Sequence, residues 1–137
     1  MTTTDILFQY HTTTASSSLT TAEMIYVAPD SGQTLVRSLF ISPTNGATNN
    51  VIRMHHCGPD ETPAQENCLM RCTASKDDSL FHQYHEVRLL LNSGDRLYAQ
   101  LHSGSGVTIT GYGLIPGSSA ASGNLNIRGE DAYGPLL

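Results

Sequence analysis

Apolar and polar residues alternate in short runs along most of the chain, and almost no segment has the periodicity of a helix. In 97–102, Leu, Ala and Leu alternate with Tyr, Gln and His, and in 107–110 Val and Ile alternate with Thr. The run TLVRSLFIS at 34–42 is apolar on both faces, which is typical of a central strand. We therefore predict an all-β fold, an antiparallel β-sandwich or jelly-roll-like domain of seven or eight short strands.

Turn residues divide the body of the chain into the predicted strands. Pro29 ends the first strand, and Asn45 with Gly46 supplies the positive-φ residues of a predicted hairpin between the second and third strands. Gly111 and Gly113 predict a bend or a close approach of another backbone in the last strand. The predicted strands cover residues 22–29, 34–42, 51–57, 68–74, 80–92 (one or two strands), 94–102 and 106–116.

Two flanks, residues 1–21 and 117–137, differ from the predicted sandwich domain at 22–116. Thr, Ser, Gly and Ala dominate the flanks, a composition that buries too little apolar surface to order itself alone. We interpret them as extended N- and C-terminal arms that dock on partner subunits; the alternative is that they fold back on their own sandwich. The candidate interface residues in the arms are Ile6, Phe8, Tyr10, Leu125, Ile127, Tyr133, Leu136 and Leu137.

Composition argues against nucleic acid and membranes as partners of this chain. The formal net charge is −5, charged residues make up 14% of the chain, and Lys and Arg together number seven, too few for phosphate binding to dominate. No apolar run approaches the roughly 20 residues of a membrane span, and the N-terminus lacks the basic start of a signal peptide. An odd number of cysteines, three, indicates free thiols and synthesis in a reducing compartment.

All three cysteines and four of the six histidines lie between residues 55 and 85, which raises the question of a metal site. A Cys2His2 site would use Cys68 and Cys72 with His82 and His85. The segment CLMRC lacks the Gly or Pro of a zinc knuckle and resembles an extended strand, however. Because four residues of strand span about 13 Å, the two thiols would not reach one ion. We expect no metal and no other cofactor.

A disulfide is the second interpretation of this region. Cys57 and Cys68 flank a ten-residue loop and could face each other at the base of a hairpin. Strand register decides whether they pair, and the sequence leaves that register open. The third interpretation treats the cysteines as small apolar residues at the rim of the core.

Catalytic patterns are weak in this sequence. It contains no nucleophile elbow, phosphate loop or dinucleotide fingerprint. The segment SGDR at 93–96 is ordinary turn chemistry, and the acidic residues that could form a glycosidase pair sit in the two most polar loops, where solvated carboxylates are expected. These acidic residues are Asp60, Glu61, Glu66, Asp77 and Asp78. We expect no enzymatic activity.

Two long motifs carry a resemblance to a known class of proteins. They are IYVAPDSGQTLVRSLFISPTNGATNNVIRMHH at 25–56 and LLLNSGDRLYAQLHSGSGVTITGYGLI at 89–115. Their succession of strands and turns resembles the small β-sandwich structural proteins of tailed-bacteriophage virions, which include capsid decoration (cement) proteins and head, neck or tail-fibre-associated subunits. The resemblance covers roughly residues 22–116 and carries no catalytic residues. The Cys- and His-rich segment 53–85 and the extension from Pro116 depart from it.

The resemblance implies a non-enzymatic capsid decoration protein on the virion exterior, made in the host bacterial cytoplasm. It would bind the major capsid protein or other virion subunits through its arms, as a homo-oligomer such as a dimer or trimer, without nucleic acid or membrane. A neck, baseplate or tail-fibre-linking subunit is an alternative. From another class, a carbohydrate-binding module for host attachment is an alternative that three tyrosines on one exposed face would favour.

Overall fold

The computed structural model describes residues 5–44, 49–74 and 83–115, and the side chains of Asp5 and Gln83 are excepted. Two short 3₁₀ turns, Leu19–Thr21 and Gln65–Asn67, interrupt an otherwise all-β chain. Within the described residues, no helix has the length and apolar character that crossing a membrane would require. The strands are β1 (Asp5–Thr12), β2 (Glu23–Val27), β3 (Thr34–Pro43), β4 (Asn50–Cys57), β5 (Cys68–Ala74), β6 (Gln83–Leu91), β7 (Arg96–Ser103) and β8 (Val107–Leu114).

The strands form two four-stranded antiparallel sheets. Sheet one has the order β1-β8-β3-β6, and sheet two has the order β2-β7-β4-β5. The first strand therefore pairs with the eighth, the second with the seventh, the third with the sixth and the fourth with the fifth. The chain is thus arranged as one long hairpin that folds over itself, with its tip at residues 58–67. This is the arrangement of a jelly roll, and it confirms the predicted fold.

The core lies between the inner faces of the two sheets. On β7 the inward residues Leu97, Ala99 and Leu101 are completely buried, as the alternation in the sequence predicted. They pack with apolar residues of β3, β4 and β8 in one continuous cluster. β3 lies between β8 and β6 in sheet one, as predicted for a central strand. Its residues Val36, Leu39 and Ile41 are buried in the core.

The predicted hairpin between β3 and β4 is wrong. The two strands belong to different sheets, which lie on opposite sides of the core. Asn50 at the start of β4 is buried, and its side-chain oxygen accepts hydrogen bonds from the backbone N–H groups of Ser105 (3.0 Å) and Gly106 (3.1 Å). These contacts attach the start of β4 to the β7–β8 turn. Residues 45 and 46, which carried the prediction, lie outside the described residues.

The predicted N-terminal arm is also wrong for residues 5–12, because they form β1 within sheet one and pair with β8. Phe8 is only 7% exposed, and its ring occupies the space that Gly111 leaves by having no Cβ. Tyr10 is partly buried and donates its phenol hydrogen to Glu23, whereas Ile6 stays exposed on the outer face. Phe8 is therefore a core residue and not an interface residue. The candidates in the predicted C-terminal arm lie outside the described part of the chain.

Candidate functional site

The segment rich in cysteine and histidine occupies the tip of the long hairpin. Pairing with β7 places Met54 and His56 on the inward side of β4, opposite Ala99 and Leu97, and His55 and Cys57 on the other side. His55 and Cys57 are nevertheless buried. Burial, and next the negative charge of Glu61 in the tip loop, raise the pKa of the Cys57 thiol.

Asn67 organises this tip. Its side-chain oxygen accepts a hydrogen bond from the backbone N–H of Ala64 (3.0 Å), and its amide nitrogen donates to the carbonyl oxygen of Thr62 (2.9 Å). The same oxygen lies 3.0 Å from Nδ1 of His55. Because this oxygen is an acceptor, Nδ1 of His55 carries the hydrogen of that bond. His55 thus anchors the loop as a hydrogen-bond donor.

His56, the next residue of β4, has a different partner, the side chain of Asp95. Its Nε2 lies 2.8 Å from Oδ2 of Asp95, a residue that is 8% exposed. The same carboxylate oxygen accepts the backbone N–H of Asn92 at 3.0 Å, which closes the turn between β6 and β7. The Asp95 carboxylate therefore links the turn between β6 and β7, which the sequence predicted at 93–96, to β4 of sheet two.

Neither a disulfide nor a metal cluster is present in the described part of the chain. Cys57, Cys68 and Cys72 are free thiols, and Cys68 lies opposite His55 rather than opposite Cys57. In the part of the chain that the structure describes, no group of three or more His, Cys, Asp or Glu side chains is placed to hold a metal ion. β5 is extended, as predicted, so Cys68 and Cys72 lie apart along one strand. His82 lies outside the described residues.

An aromatic groove crosses the outer face of sheet one. Phe40 lies between two tyrosines, with ring centroids 5.1 Å from Tyr84 and 5.7 Å from Tyr112, the latter edge-to-face. The groove has a volume of about 310 Å³, at the lower end of the range for small-ligand sites. Its lining residues are Arg37, Ser38, Phe40, Tyr84, Glu86 and Tyr112. We call this set the aromatic groove.

A β-bulge shapes the polar side of the groove. The register of β3 with β8 shifts between Val36 and Ser38, so that Arg37 is an extra residue on β3. Consecutive residues of a regular strand face opposite sides, whereas Arg37 and Ser38 both line the groove. On β6, next to this point, Arg88 has a φ of 50°, which L residues rarely adopt. Such outliers concentrate at functional sites.

The outer face of sheet two has a different character. Arg53 and Arg71 lie opposite each other on β4 and β5, and Arg96 lies on β7. Next to Arg96 and Tyr98 on the neighbouring strand, Val27 and Met24 are 45% and 52% exposed. We call the outward residues Met24, Val27, Arg53, Arg71, Arg96, Tyr98 and His102 the arginine face.

Charge on the arginine face is not neutralised by the described residues. Their ion pairs, His56 with Asp95 and Arg88 with Glu86, lie elsewhere. His102 reports the local potential, since burial and then the positive charges of Arg53 and Arg71 lower its pKa. The chain as a whole has a net charge of −5, so this cationic face contrasts with the rest of the molecule.

No protein-family model, no curated protein and no solved structure matches this chain. The aromatic groove and the arginine face therefore have to be interpreted from their own chemistry. Sequence reasoning missed both as sites. The period-two pattern in 34–42 and 94–102 indicated which residues would face outward, but it did not show which strands would be neighbours.

Proposed function

We propose that the chain is a non-enzymatic structural protein of a phage virion, a capsid decoration protein that binds the shell of major capsid protein. The observation that supports this proposal is the composition of the arginine face. Arg, Met and Tyr are the residues in which protein–protein interfaces are enriched, and three arginines share this face with exposed Met24 and with Tyr98.

The charge of this face defines the surface that it would fit. Arg53 and Arg71 are like charges directly opposite each other, an arrangement that destabilises a free sheet. Carboxylates of a partner would relieve that repulsion, and the adjacent apolar side chains would be buried in the same contact. An acidic surface with an apolar margin, presented by capsid subunits, is the partner that the arginine face fits.

Assembly on a lattice makes modest contacts sufficient. Each copy of a decoration protein contributes only a small contact, but an oligomer that engages several subunits at once binds with the avidity of all of them. We propose a dimer or trimer on the capsid exterior, made in the bacterial cytoplasm. The segment 117–137, predicted as an arm, would add a second contact.

A charge reversal tests this function. Arg71→Glu should abolish co-sedimentation with shells assembled from the cognate major capsid protein, because it replaces attraction by repulsion at an exposed position. Arg88→Glu, the same charge change on sheet one, is the matched control and should co-sediment like the parent. Equal retention of both variants on shells would refute docking through the arginine face. Removal of residues 117–137 should weaken retention without unfolding the sandwich.

Copy number distinguishes the related alternatives. Hundreds of copies per particle indicate a shell component, whereas six or twelve copies indicate a neck, baseplate or tail-fibre-linking subunit. A function from another class, carbohydrate binding, is favoured by the aromatic groove. The groove holds two tyrosines and a phenylalanine, one tyrosine fewer than the three expected of a glycan-binding face, since Tyr98 lies on sheet two and Tyr26 packs against Phe8. Jelly rolls occur in both viral capsid proteins and lectins, so the fold is compatible with either function.

A further inference from the structure

We propose that the aromatic groove binds a neutral glycan through roughly one or two of its sugar rings. This role is separate from shell docking, because the groove and the arginine face lie on the outer faces of opposite sheets. A jelly roll that rests on a shell through sheet two would present sheet one, and the groove with it, to the surrounding medium.

The apolar part of the groove provides a surface for the carbon-bound hydrogens of a sugar ring. Tyr84 is 58% exposed and stands beside Phe40, and Tyr112 meets Phe40 edge-to-face from the other strand. Tyrosine gives a large rigid contact area at low conformational-entropy cost and keeps a hydroxyl for hydrogen bonding. The rings of Tyr84 and Tyr112 are inclined to that of Phe40 by 52° and 89°, and the three form an apolar surface on which Tyr84 is the most exposed ring.

The polar part of the groove matches hydroxyl groups in particular. Arg37 offers hydrogen-bond donors only, and Glu86 in its ionised form offers acceptors only. A sugar hydroxyl both donates and accepts, so neighbouring hydroxyls of one ring can engage the two side chains together. Glu86 also accepts a hydrogen bond from Arg88 at 3.5 Å, so the margin of the groove carries charges of both signs, and an uncharged polyhydroxyl compound can engage Arg37 and Glu86 together without bringing a like charge to either.

Local backbone geometry favours this ligand over an added peptide strand. Among the described residues, β6 is one of the two edge strands of sheet one, and a peptide that added a strand there would extend the sheet. The positive φ of Arg88 and the register shift opposite it interrupt the regular ladder of hydrogen bonds at the middle of that edge. The same bulge places Arg37 beside Ser38 on the groove. The bulge in β3 thus forms the polar side of the groove, and together with the positive φ of Arg88 it makes β6 a poor strand for a peptide to pair with.

Nuclear magnetic resonance titration of the isotope-labelled full chain tests the proposal. The probes are cellotriose, chitotriose, maltotriose and mannotriose at millimolar concentration, with trigalacturonate as an acidic oligosaccharide. At least one neutral trisaccharide should shift the amide signals of β3, β6 and β8 around the groove, and should bind more tightly than trigalacturonate. The absence of groove shifts with all four neutral probes, or a preference for trigalacturonate, would overturn the proposal.

Two variants identify the groove as the binding site. Tyr84→Ala should weaken binding of the active trisaccharide at least tenfold, because it removes the most exposed ring while leaving the core intact. Tyr98→Ala on the opposite sheet should bind like the parent. Tyr84→Ala should also be retained on capsid shells, and Arg71→Glu should still bind the sugar, so that failure of one function is distinguishable from failure of the other. Parental affinity in Tyr84→Ala would contradict the proposal.

Discussion

Arg53 and Arg71 lie directly opposite each other on β4 and β5, and their positive charges act together on His102 of β7. Burial is the larger reason that the pKa of His102 lies below 6.5, and the two guanidinium groups add to it. We predict that Arg71→Ala raises the pKa of His102 part of the way towards 6.5. A nuclear magnetic resonance titration of the histidine ring signals from about pH 4 to about pH 8, which spans the ordinary histidine pKa of about 6.5, gives the value directly.

The control for this prediction is Arg88→Ala, which removes the same charge from the other sheet and should leave the titration of His102 unchanged. The lowered pKa also has a consequence for stability. Below pH 6.5 the unfolded chain protonates His102 more readily than the folded protein does, so the folded state loses stability as the pH falls. Identical His102 titrations in Arg71→Ala and the parent would show that no charge coupling exists across this face.

Asp95 should be among the most sensitive polar positions of the molecule. Its buried carboxylate oxygen accepts from Asn92 at 3.0 Å and lies 2.8 Å from Nε2 of His56. Asp95→Ala leaves a backbone N–H and an imidazole without their acceptor, and we expect a loss of about 2–4 kcal/mol in the free energy of unfolding. Asp95→Asn keeps one acceptor oxygen and should lose about half as much. Urea denaturation at neutral pH measures both.

The matched control is Asp30→Ala. Asp30 is exposed and accepts one hydrogen bond from the hydroxyl of Ser93 at 3.1 Å. Its removal should change stability by no more than about 0.5 kcal/mol. A loss of that small size in Asp95→Ala as well would show that the turn between β6 and β7 does not depend on this carboxylate.

Tyr10 makes the stability of the sandwich sensitive to alkaline pH. Burial, and next the hydrogen bond to Glu23, raise its pKa from 10.0 to about 12. Between these values the unfolded chain ionises Tyr10 while the folded protein holds the proton, so the stability that the raised pKa reflects is present below pH 10 and is lost as the pH rises towards 12. We predict that Tyr10→Phe has a flatter dependence of the urea midpoint on pH over this range.

Tyr84→Phe, the same substitution at an exposed position, is the control variant. Tyr26, whose pKa burial also raises, remains in both variants and accounts for a residual slope. If Tyr10→Phe lost stability between pH 10 and pH 12 as steeply as the parent does, the phenol of Tyr10 would not be the group responsible.

Local patterns predicted β2 to β8 but not β1, and they did not predict how the strands pair. The alternation in 97–101 reflects burial of every second side chain, and this pattern can be recognised within a single strand. The turn residues Asn45 and Gly46 indicate a reversal of direction, and a reversal occurs equally in a hairpin and in a crossing between sheets. The pairing of β3 with β6 and β8 is decided by the burial of both sheets against each other, which is a long-range effect.

The misassigned N-terminal strand and the missed groove have a common origin. Phe8 fits into the sheet because Gly111, about a hundred residues later, leaves room for its ring. Arg37 and Ser38 share the groove because of a bulge that breaks the period-two rule. Neither relationship is visible in a window of neighbouring residues. The glycines of β8 were the one available signal, since they predicted a close approach without identifying what approaches.

The two glycines of β8 should differ in what an added methyl group costs. At Gly113 a Cβ would collide with the backbone oxygen of Leu35 on β3, which the ladder of the sheet holds in place. At Gly111 it would collide with the ring of Phe8, a side chain that can be replaced. We expect Gly111→Ala to lose about 1–3 kcal/mol and Gly113→Ala to lose more. Both values come from urea denaturation.

A double-mutant cycle separates the two cases. Phe8→Leu in the Gly111→Ala background should lose less stability than the sum of the single variants, because the smaller side chain makes room for the methyl group. Phe8→Leu in the Gly113→Ala background should give no comparable relief, since the obstacle there is the backbone of Leu35. Gly58→Ala is the control, as its Cβ would lie 3.5 Å from the carboxylate of Glu61 in ordinary contact. Strict additivity at Gly111 would show that Phe8 does not pack against that position.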